Sequence, residues 1–343
     1  LREMLYSPLT VVIGRQAFKY GNSFIIDSAS IGEGDSGIAS IANDISEQGA
    51  ADAIRAILDY DPLKIELLYS KIDENLAVLG TDPTNNDDID LYGINTSYEL
   101  GDKMKTAVEA YIFAKIDKSK GKAAGAYLKN DSVYVKGLRA STNLLEGLVL
   151  QGEYAWQTGR KINGTTPGDT QRRNAQAGQL LASFALPDAV LPGKIKEYKP
   201  VLGYELTYAS GDNDAYETDA YGGWDPLYEG QAGGKIYDTL FAQSNCLVNT
   251  ASLTFNPMED LTTKLSFSKL MLADELEPSQ TVTLLQPDGT TQSVTAVKDD
   301  EAGLGWEIDA SAMYDYTEDV QIGLNLGWYN PGKDGIFENL TND

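Results

Sequence analysis

Apolar and polar residues alternate with a period of two in segment after segment of this chain. From Leu304 to Tyr316 it reads LGWEIDASAMYDY, with Leu304, Trp306, Ile308, Ala310, Ala312 and Tyr314 on one side. Gly305, Glu307, Asp309, Ser311, Met313 and Asp315 take the other side. The next segment repeats the pattern, as Val320, Ile322, Leu324, Leu326 and Trp328 alternate with Gln321, Gly323, Asn325, Gly327 and Tyr329. In 148–157, Leu148, Leu150, Gly152, Tyr154 and Trp156 oppose Val149, Gln151, Glu153, Ala155 and Gln157. In 247–256, Leu247, Ala251, Leu253 and Phe255 oppose Val248, Thr250, Ser252, Thr254 and Asn256. Successive strand residues point to opposite faces, so each segment predicts a β-strand with one apolar face. A further strand is predicted at 51–59, with Ile54, Ala56 and Leu58 on one face. In 88–100 and 131–141 neither face is consistently apolar, and Arg139 has no assigned face. Ile38, Ile41, Ala42 and Ile45 have helical spacing, which predicts a helical turn inside a polar loop at 36–50.

The connections alternate too. Tight turns are predicted at Tyr60-Asp61-Pro62, Gly101-Asp102, Glu146-Gly147, Pro257-Met258-Glu259-Asp260 and Thr317-Glu318-Asp319. Long polar connections fall at 22–50, 74–87, 117–130, 161–170, 212–243 and 274–302, with one of intermediate length at 188–198. Pro287-Asp288-Gly289 between TVTLL and TQSVTAV predicts a small hairpin in the last long loop. A regular short–long order is what a transmembrane barrel shows, with periplasmic turns and extracellular loops. A soluble two-sheet protein alternates within its strands but does not require that order. The expected fold is all-β: one large antiparallel transmembrane β-barrel domain over residues 1–343, of about 13 strands. Single-chain bacterial barrels have an even number, so at least one terminal strand is expected beyond this sequence. The chain opens on Leu-Arg-Glu and is expected to be a mature or partial chain.

Composition narrows the class. Hydrophobic residues make up 42%, yet no run approaches the roughly 20 apolar residues of a spanning helix. Twenty tyrosines suit strands and interfacial aromatic girdles. The net charge of −24 excludes a nucleic-acid partner. It fits acidic loops, or a field that favours cations. Without histidine, and with Cys246 as the single cysteine, the chain has no internal disulfide, zinc pattern or Ser–His device. Cys246 is expected to be a buried or lipid-adjacent thiol at the start of a strand.

Several segments resemble the alginate-export outer-membrane porins. They are VVIGRQAFKYGN (11–22), ADAIRAILDY (51–60), LKIELLYSK (63–71), DIDLYGINTSY (88–98), VYVKGLRAS (133–141), LQGEYAWQTG (150–159), PVLGYELTYASGDND (200–214), YGGWDPLYEG (221–230), LGWEIDASAMYDY (304–316) and LNLGWYNPG (324–332). The resemblance implies a bacterial outer-membrane channel in contact with lipid, passing polar or charged solutes, an oligosaccharide or anionic polysaccharide among them. It further implies a luminal ring of arginines with acidic partners as the selectivity constriction. By motif, this places Arg15, Arg55, Arg139 and Glu153 there. Alternation independently sets Arg55 opposite Ile54, Ala56 and Leu58, and Glu153 opposite Tyr154 and Trp156. Arg15 shares parity with Val11 and Ile13, so only a bulge or strand end turns it inward.

The expected lumen is of mixed charge, with Glu66, Glu109, Glu205, Glu307, Asp309 and Asp315 against Arg55, Lys64, Lys105 and Lys264. A polyanion is therefore one candidate solute among several. Glu307 and Asp309 share a face, as paired glycosidase carboxylates do. That spacing follows equally from any polar lumen, and no enzyme is expected. The acidic loop carrying Asp212, Asp214 and Asp219 is a weak calcium candidate, without EF-hand spacing. Long segments 22–50 and 212–243 are candidate plugs. With them comes the alternative of a non-conducting surface protein or scaffold.

Overall fold

The computed structural model describes residues 8–31, 50–73, 89–118, 122–123, 126–127, 129–162, 170–212, 219–231, 233–276, 281–285, 291–295 and 301–331. The strands are β1 (Leu9–Gln16), β2 (Ala51–Asp59), β3 (Leu63–Asp73), β4 (Ile89–Glu99), β5 (Ala107–Asp117), β6 (Lys122–Ala123), β7 (Ala126–Tyr127), β8 (Asp131–Leu145) and β9 (Leu148–Ile162). They continue with β10 (Thr170–Ala185), β11 (Val201–Ala209), β12 (Ala220–Tyr221), β13 (Cys246–Met258), β14 (Leu261–Leu276), β15 (Thr281–Leu285), β16 (Thr291–Thr295), β17 (Glu301–Thr317) and β18 (Val320–Asn330). Thirteen form one antiparallel meander, β1-β2-β3-β4-β5-β8-β9-β10-β11-β13-β14-β17-β18, to which β12 adds a short parallel pairing with β10. Among the described residues the sheet is not closed by a pairing of β1 with β18. Among the described residues no helix is long and apolar enough to cross a membrane.

The predicted tight turns fall where expected, all at one end of the sheet, and the strand ends that flank the long connections lie at the other; the 74–87 connection itself lies outside the described residues. The Gly101-Asp102 turn is held by the Asp102 carboxylate, which accepts the Thr106 main-chain N–H at 2.8 Å and its hydroxyl at 2.8 Å. β15 and β16 pair as the predicted hairpin, whose turn residues lie outside the described ones. The 36–50 helical signal also falls outside them, apart from residue 50.

Parity decides the two faces. On β9, Glu153, Ala155 and Gln157 are buried while Tyr154, Trp156 and Thr158 are exposed. On β8, Val133, Val135 and Gly137 are buried while Tyr134, Lys136 and Leu138 are exposed. The outward set includes Ile54, Leu67, Tyr92, Ile94, Ile112, Leu180, Phe267, Ile308 and Trp328. This apolar exposure continues from strand to strand, as a lipid-facing wall requires. Inward glycines make room for rings: a side chain at Gly137 would collide with the Tyr111 ring across the β5–β8 pair.

The buried apolar residues lie inside the curve of the sheet, towards its long-loop end. Phe24, Ile26 and Trp224, none of them on a wall strand, are 0%, 0% and 2% exposed. They belong to segments 17–31 and 219–245, which fold onto the inner face. Their contacts prove the curvature. Tyr20 donates to Glu66 on β3 at 2.6 Å, and Asn22 donates to Gln179 on β10 at 2.6 Å. A flat sheet would separate those strands by about 24 Å over five interstrand steps.

Leu67 sits mid-strand on the outer face between Ala56 and Ile94. Leu67→Arg is expected to destabilise the bilayer-inserted protein by about 2–4 kcal/mol. Ser97→Arg on the inner face is expected to cost less than about 1 kcal/mol. Denaturant unfolding from liposomes compares the two, and equal costs contradict this assignment of faces.

Candidate functional site: a plugged lumen

Two charged clusters line the inner face, both in contact with segment 17–31. In the first, Arg55 Nη2 meets Glu66 Oε1 at 2.7 Å, and Lys64 stands 3.5 Å from Glu66 Oε2. Tyr20 of the inward segment donates to the same carboxylate, and the Arg55 guanidinium lies over the Phe18 ring at 5.4 Å. Burial, then the adjacent Glu66 charge, raises the Tyr20 phenol above its ordinary range, so it stays a donor. In the second cluster, Arg139 pairs with Glu109 and donates to Gln151 at 2.5 Å, with Glu153 Oε2 4.0 Å from its Nε. Tyr111 donates to Glu153 Oε1 at 2.7 Å. Gly21 lies directly on this cluster. With φ of +58° and Arg139 Cδ only 2.9 Å from where a Cβ would stand, a side chain there would strain the backbone and push Arg139 aside.

Segment 219–245 is anchored further along the wall. Gln157 exchanges two hydrogen bonds with the Asp225 main chain, at 2.6 and 2.9 Å. The Asp225 carboxylate lies 3.5 Å from Lys115 and 3.7 Å from Arg173, and Arg173 also pairs with Asp131 at 2.8 Å. Glu307, fully buried on β17, accepts the main-chain N–H groups of Lys235, Ile236 and Tyr237 at 2.6, 2.9 and 2.7 Å. The two segments also bind each other. Asp27 N–H donates to Tyr228 O at 2.7 Å, and Gly230 N–H donates to Ser23 O at 2.9 Å. Gln231 and Asn22 meet on Gln179. Together they form one plug, held by polar contacts around an apolar centre.

Of the four residues expected at a constriction, the structure brings Arg139 and Glu153 together and sets Arg55 in the neighbouring cluster. Arg15 is corrected. It is exposed on the outer face, directly across from Asp52, with Nε donating to Ala50 O at 3.4 Å. β1 pairs with β2 without a register break, so nothing turns it inward. Lys105 is corrected as well, because it lies exposed in the 100–106 turn and not in the lumen. Among the described residues no group of three or more His, Cys, Asp or Glu side chains is placed to hold a metal ion. Asp212 accepts Gly222 N–H at 3.0 Å, Asp219 is exposed, and Asp214 lies outside the described residues. Cys246 is buried at the start of β13. The anchoring roles of Gln157, Gln179, Arg173 and Asp225 were not expected from sequence. Inward parity on β9 and β10 is the signal that would have found the first three.

A lipid-faced antiparallel wall around a polar lumen, with short turns at one end and long loops at the other, is the architecture of an outer-membrane transport channel. The chain belongs to the alginate export family, whose profile matches residues 78–334. It is accordingly a bacterial outer-membrane protein. The match includes Arg139 and Glu153; Arg15 and Arg55 precede it. A search of curated proteins returned no match. Among solved structures the chain is similar to the copper transporter OprC (13% identity, TM-score 0.41, 82% of this chain and 46% of that one). It is also similar to the Pseudomonas putida toluene transporter TodX (11%, 0.32, 81% and 76%). A third is the ferric enterobactin receptor PfeA of Pseudomonas aeruginosa (15%, 0.35, 84% and 50%). The chain thus spans about half the length of OprC and of PfeA.

Within the plug, burial raises Glu229 to about 7. Burial, then the charges of Glu229, Glu307 and Glu205, raises Asp238 to about 8. Both carboxyls are therefore favoured in neutral form while docked. The contribution of these two carboxyls to docking is fully present below about pH 4 and is lost as pH rises through 7 to 8, where docking must oppose their ionisation. Hydrogen exchange of residues 222–241 is expected to quicken from pH 5 to pH 9, after correction for intrinsic rates. Asp238→Asn is expected to remove most of that dependence, and a wild-type profile in the variant contradicts the assignment.

Proposed function

We propose that the chain is a passive channel for polar and charged solutes, hydrophilic oligosaccharides among them. In this reading its path runs past the Arg55–Glu66 and Arg139–Glu109–Glu153 clusters, and the plug closes it. The observation that carries the proposal is the plug's mode of attachment, by side-chain hydrogen bonds and ion pairs to a polar inner face. Such contacts exchange readily for water or for solute hydroxyl groups, so the plug is suited to leaving. The paired charges favour a solute matched by hydrogen bonding over one drawn by net positive charge. Buried ion pairs attract little at a distance, because their fields largely cancel. A polyanion is therefore one candidate and not the preferred one.

We further propose no catalytic role. Glu307 already accepts three main-chain N–H groups, which leaves it poorly placed to act as a general acid or base beside Asp309. A second reading is a sealed barrel that serves as a surface scaffold. The full burial of Phe24 and Ile26 within the plug favours it.

Planar-bilayer recordings distinguish these readings. Deleting residues 222–241 is expected to raise single-channel conductance several-fold. A folded deletion variant that still passes no current favours the scaffold. Arg55→Glu is expected to move the reversal potential under a salt gradient towards cation selectivity, and Glu153→Gln towards anion selectivity. If neither substitution moves it in a folded, conducting protein, these residues do not set selectivity.

A further inference from the structure

The outer wall near the long-loop end carries one continuous cross-strand series of side chains. Register joins Arg15 to Asp52, Asp52 to Lys71, Lys71 to Asp90, Asp90 to Ile116, Ile116 to Ser132, Ser132 to Arg160 and Arg160 to Arg172. From β1 to β4 the charges alternate in sign, and Lys118 adds a 2.6 Å ion pair to Asp90. This stretch neutralises itself. At β9 and β10 the pattern breaks. Arg160 and Arg172 stand directly opposite each other, both exposed on the outer face, and among the described residues neither makes an ion pair. The neighbouring residues of outward parity, the buried Ser132 and the exposed Thr158 and Asn174, bring no counter-charge. Asp219 gives Arg172 only its main-chain carbonyl, as acceptor for the Arg172 N–H at 3.0 Å.

Like charges directly across an antiparallel pair oppose sheet formation unless something neutralises them. In a chain of net charge −24, two arginines facing each other with no carboxylate paired to either among the described residues stand out from the rest of the wall. Their depth indicates what neutralises them. Arg160 is four residues beyond the exposed Trp156, which with the exposed Tyr154 carries outward aromatic rings on β9, about 13 Å along the strand and about 10 Å in height at a tilt of about 40°. Tyr154, on the same outward face, donates to Gln176 at 2.5 Å, which marks the change from apolar to polar wall. The pair therefore lies at headgroup depth on the long-loop, outward-facing side of the membrane. Guanidinium forks carried on directly opposed residues can reach one phosphate and match its oxygens. We propose that Arg160 and Arg172 form a binding site on the outer wall for a phosphate group of an anionic lipid of the outer leaflet. The lipid headgroup supplies the missing counter-charge, and its chains lie along the apolar wall below.

Native mass spectrometry of the purified protein mixed with diphosphorylated lipid A tests this. The wild type is expected to retain the lipid. Arg160→Ala with Arg172→Ala is expected to reduce the bound fraction at least about fivefold, whereas Arg160→Lys with Arg172→Lys, which keeps the charge but loses the forks, is expected to retain an intermediate fraction. Arg15→Ala, which removes an outer-wall arginine already faced by Asp52, is expected to leave binding unchanged. Dephosphorylated lipid A is expected to bind the wild type as poorly as lipid A binds the alanine variant, and this arm reads out even if that variant fails to fold. Equal retention of the two lipids overturns the proposal. So does full displacement of lipid A by millimolar inorganic phosphate, which would make the pair a general anion site.

Discussion

Inside hydrocarbon, a main-chain N–H or C=O without a partner costs several kcal/mol, and no water is available to supply one. The rest of this structure follows from that constraint. It demands strands paired on both sides along the wall, and pairing forces side chains to alternate between lipid and lumen. The long runs of register in β8, β9 and β10 meet the demand. Alternation then gives each strand one apolar and one polar face. The polar faces of thirteen strands, turned inward, make a cavity that must hold either water or protein.

Here it holds protein, and the inner face is divided accordingly. Near the loop end, Val133, Val135 and Phe113 share one buried apolar cluster with Phe24, Ile26 and Trp224 of the plug, and Phe113 packs on the Tyr20 ring. Nearer the turns, Lys64, Glu109, Gln151 and Glu153 provide charge and hydrogen bonds. The plug meets both zones. Its apolar centre contributes the hydrophobic term, at about 25 cal/mol per Å² buried. Its edges are fixed by Glu307, Gln157, Gln179 and Glu66 on four different strands. Attachment distributed in this way lets a change at one contact loosen the plug without dismantling the wall.

This division also explains what could be read from sequence. Strand positions, the order of turns and loops and the faces of Arg55 and Glu153 were legible, because they rest on local periodicity. The face of Arg139 was not. On β8 the inward Val133 and Val135 are as apolar as the outward Tyr134 and Leu138, because the lumen at that level is filled and not wet. The segments that could act as plugs were recognisable by length alone, but their seats were not. Asn22 and Gln179 are 157 residues apart in sequence, and no local pattern joins them. Arg15 was misplaced when a motif was allowed to outweigh parity, and the unbroken β1–β2 register follows parity.

The central claim is that solute passes where the plug now sits, so that the plug must leave for the channel to conduct. Tethering the plug tests this most directly. With Cys246 replaced by alanine, Asn22→Cys and Gln179→Cys can be bridged by a short cleavable bifunctional thiol reagent while current is recorded across a bilayer. The account predicts that bridging abolishes the current and that cleaving the bridge restores it. A current that persists unchanged through complete cross-linking would contradict the account, because solute would then pass with the plug in place.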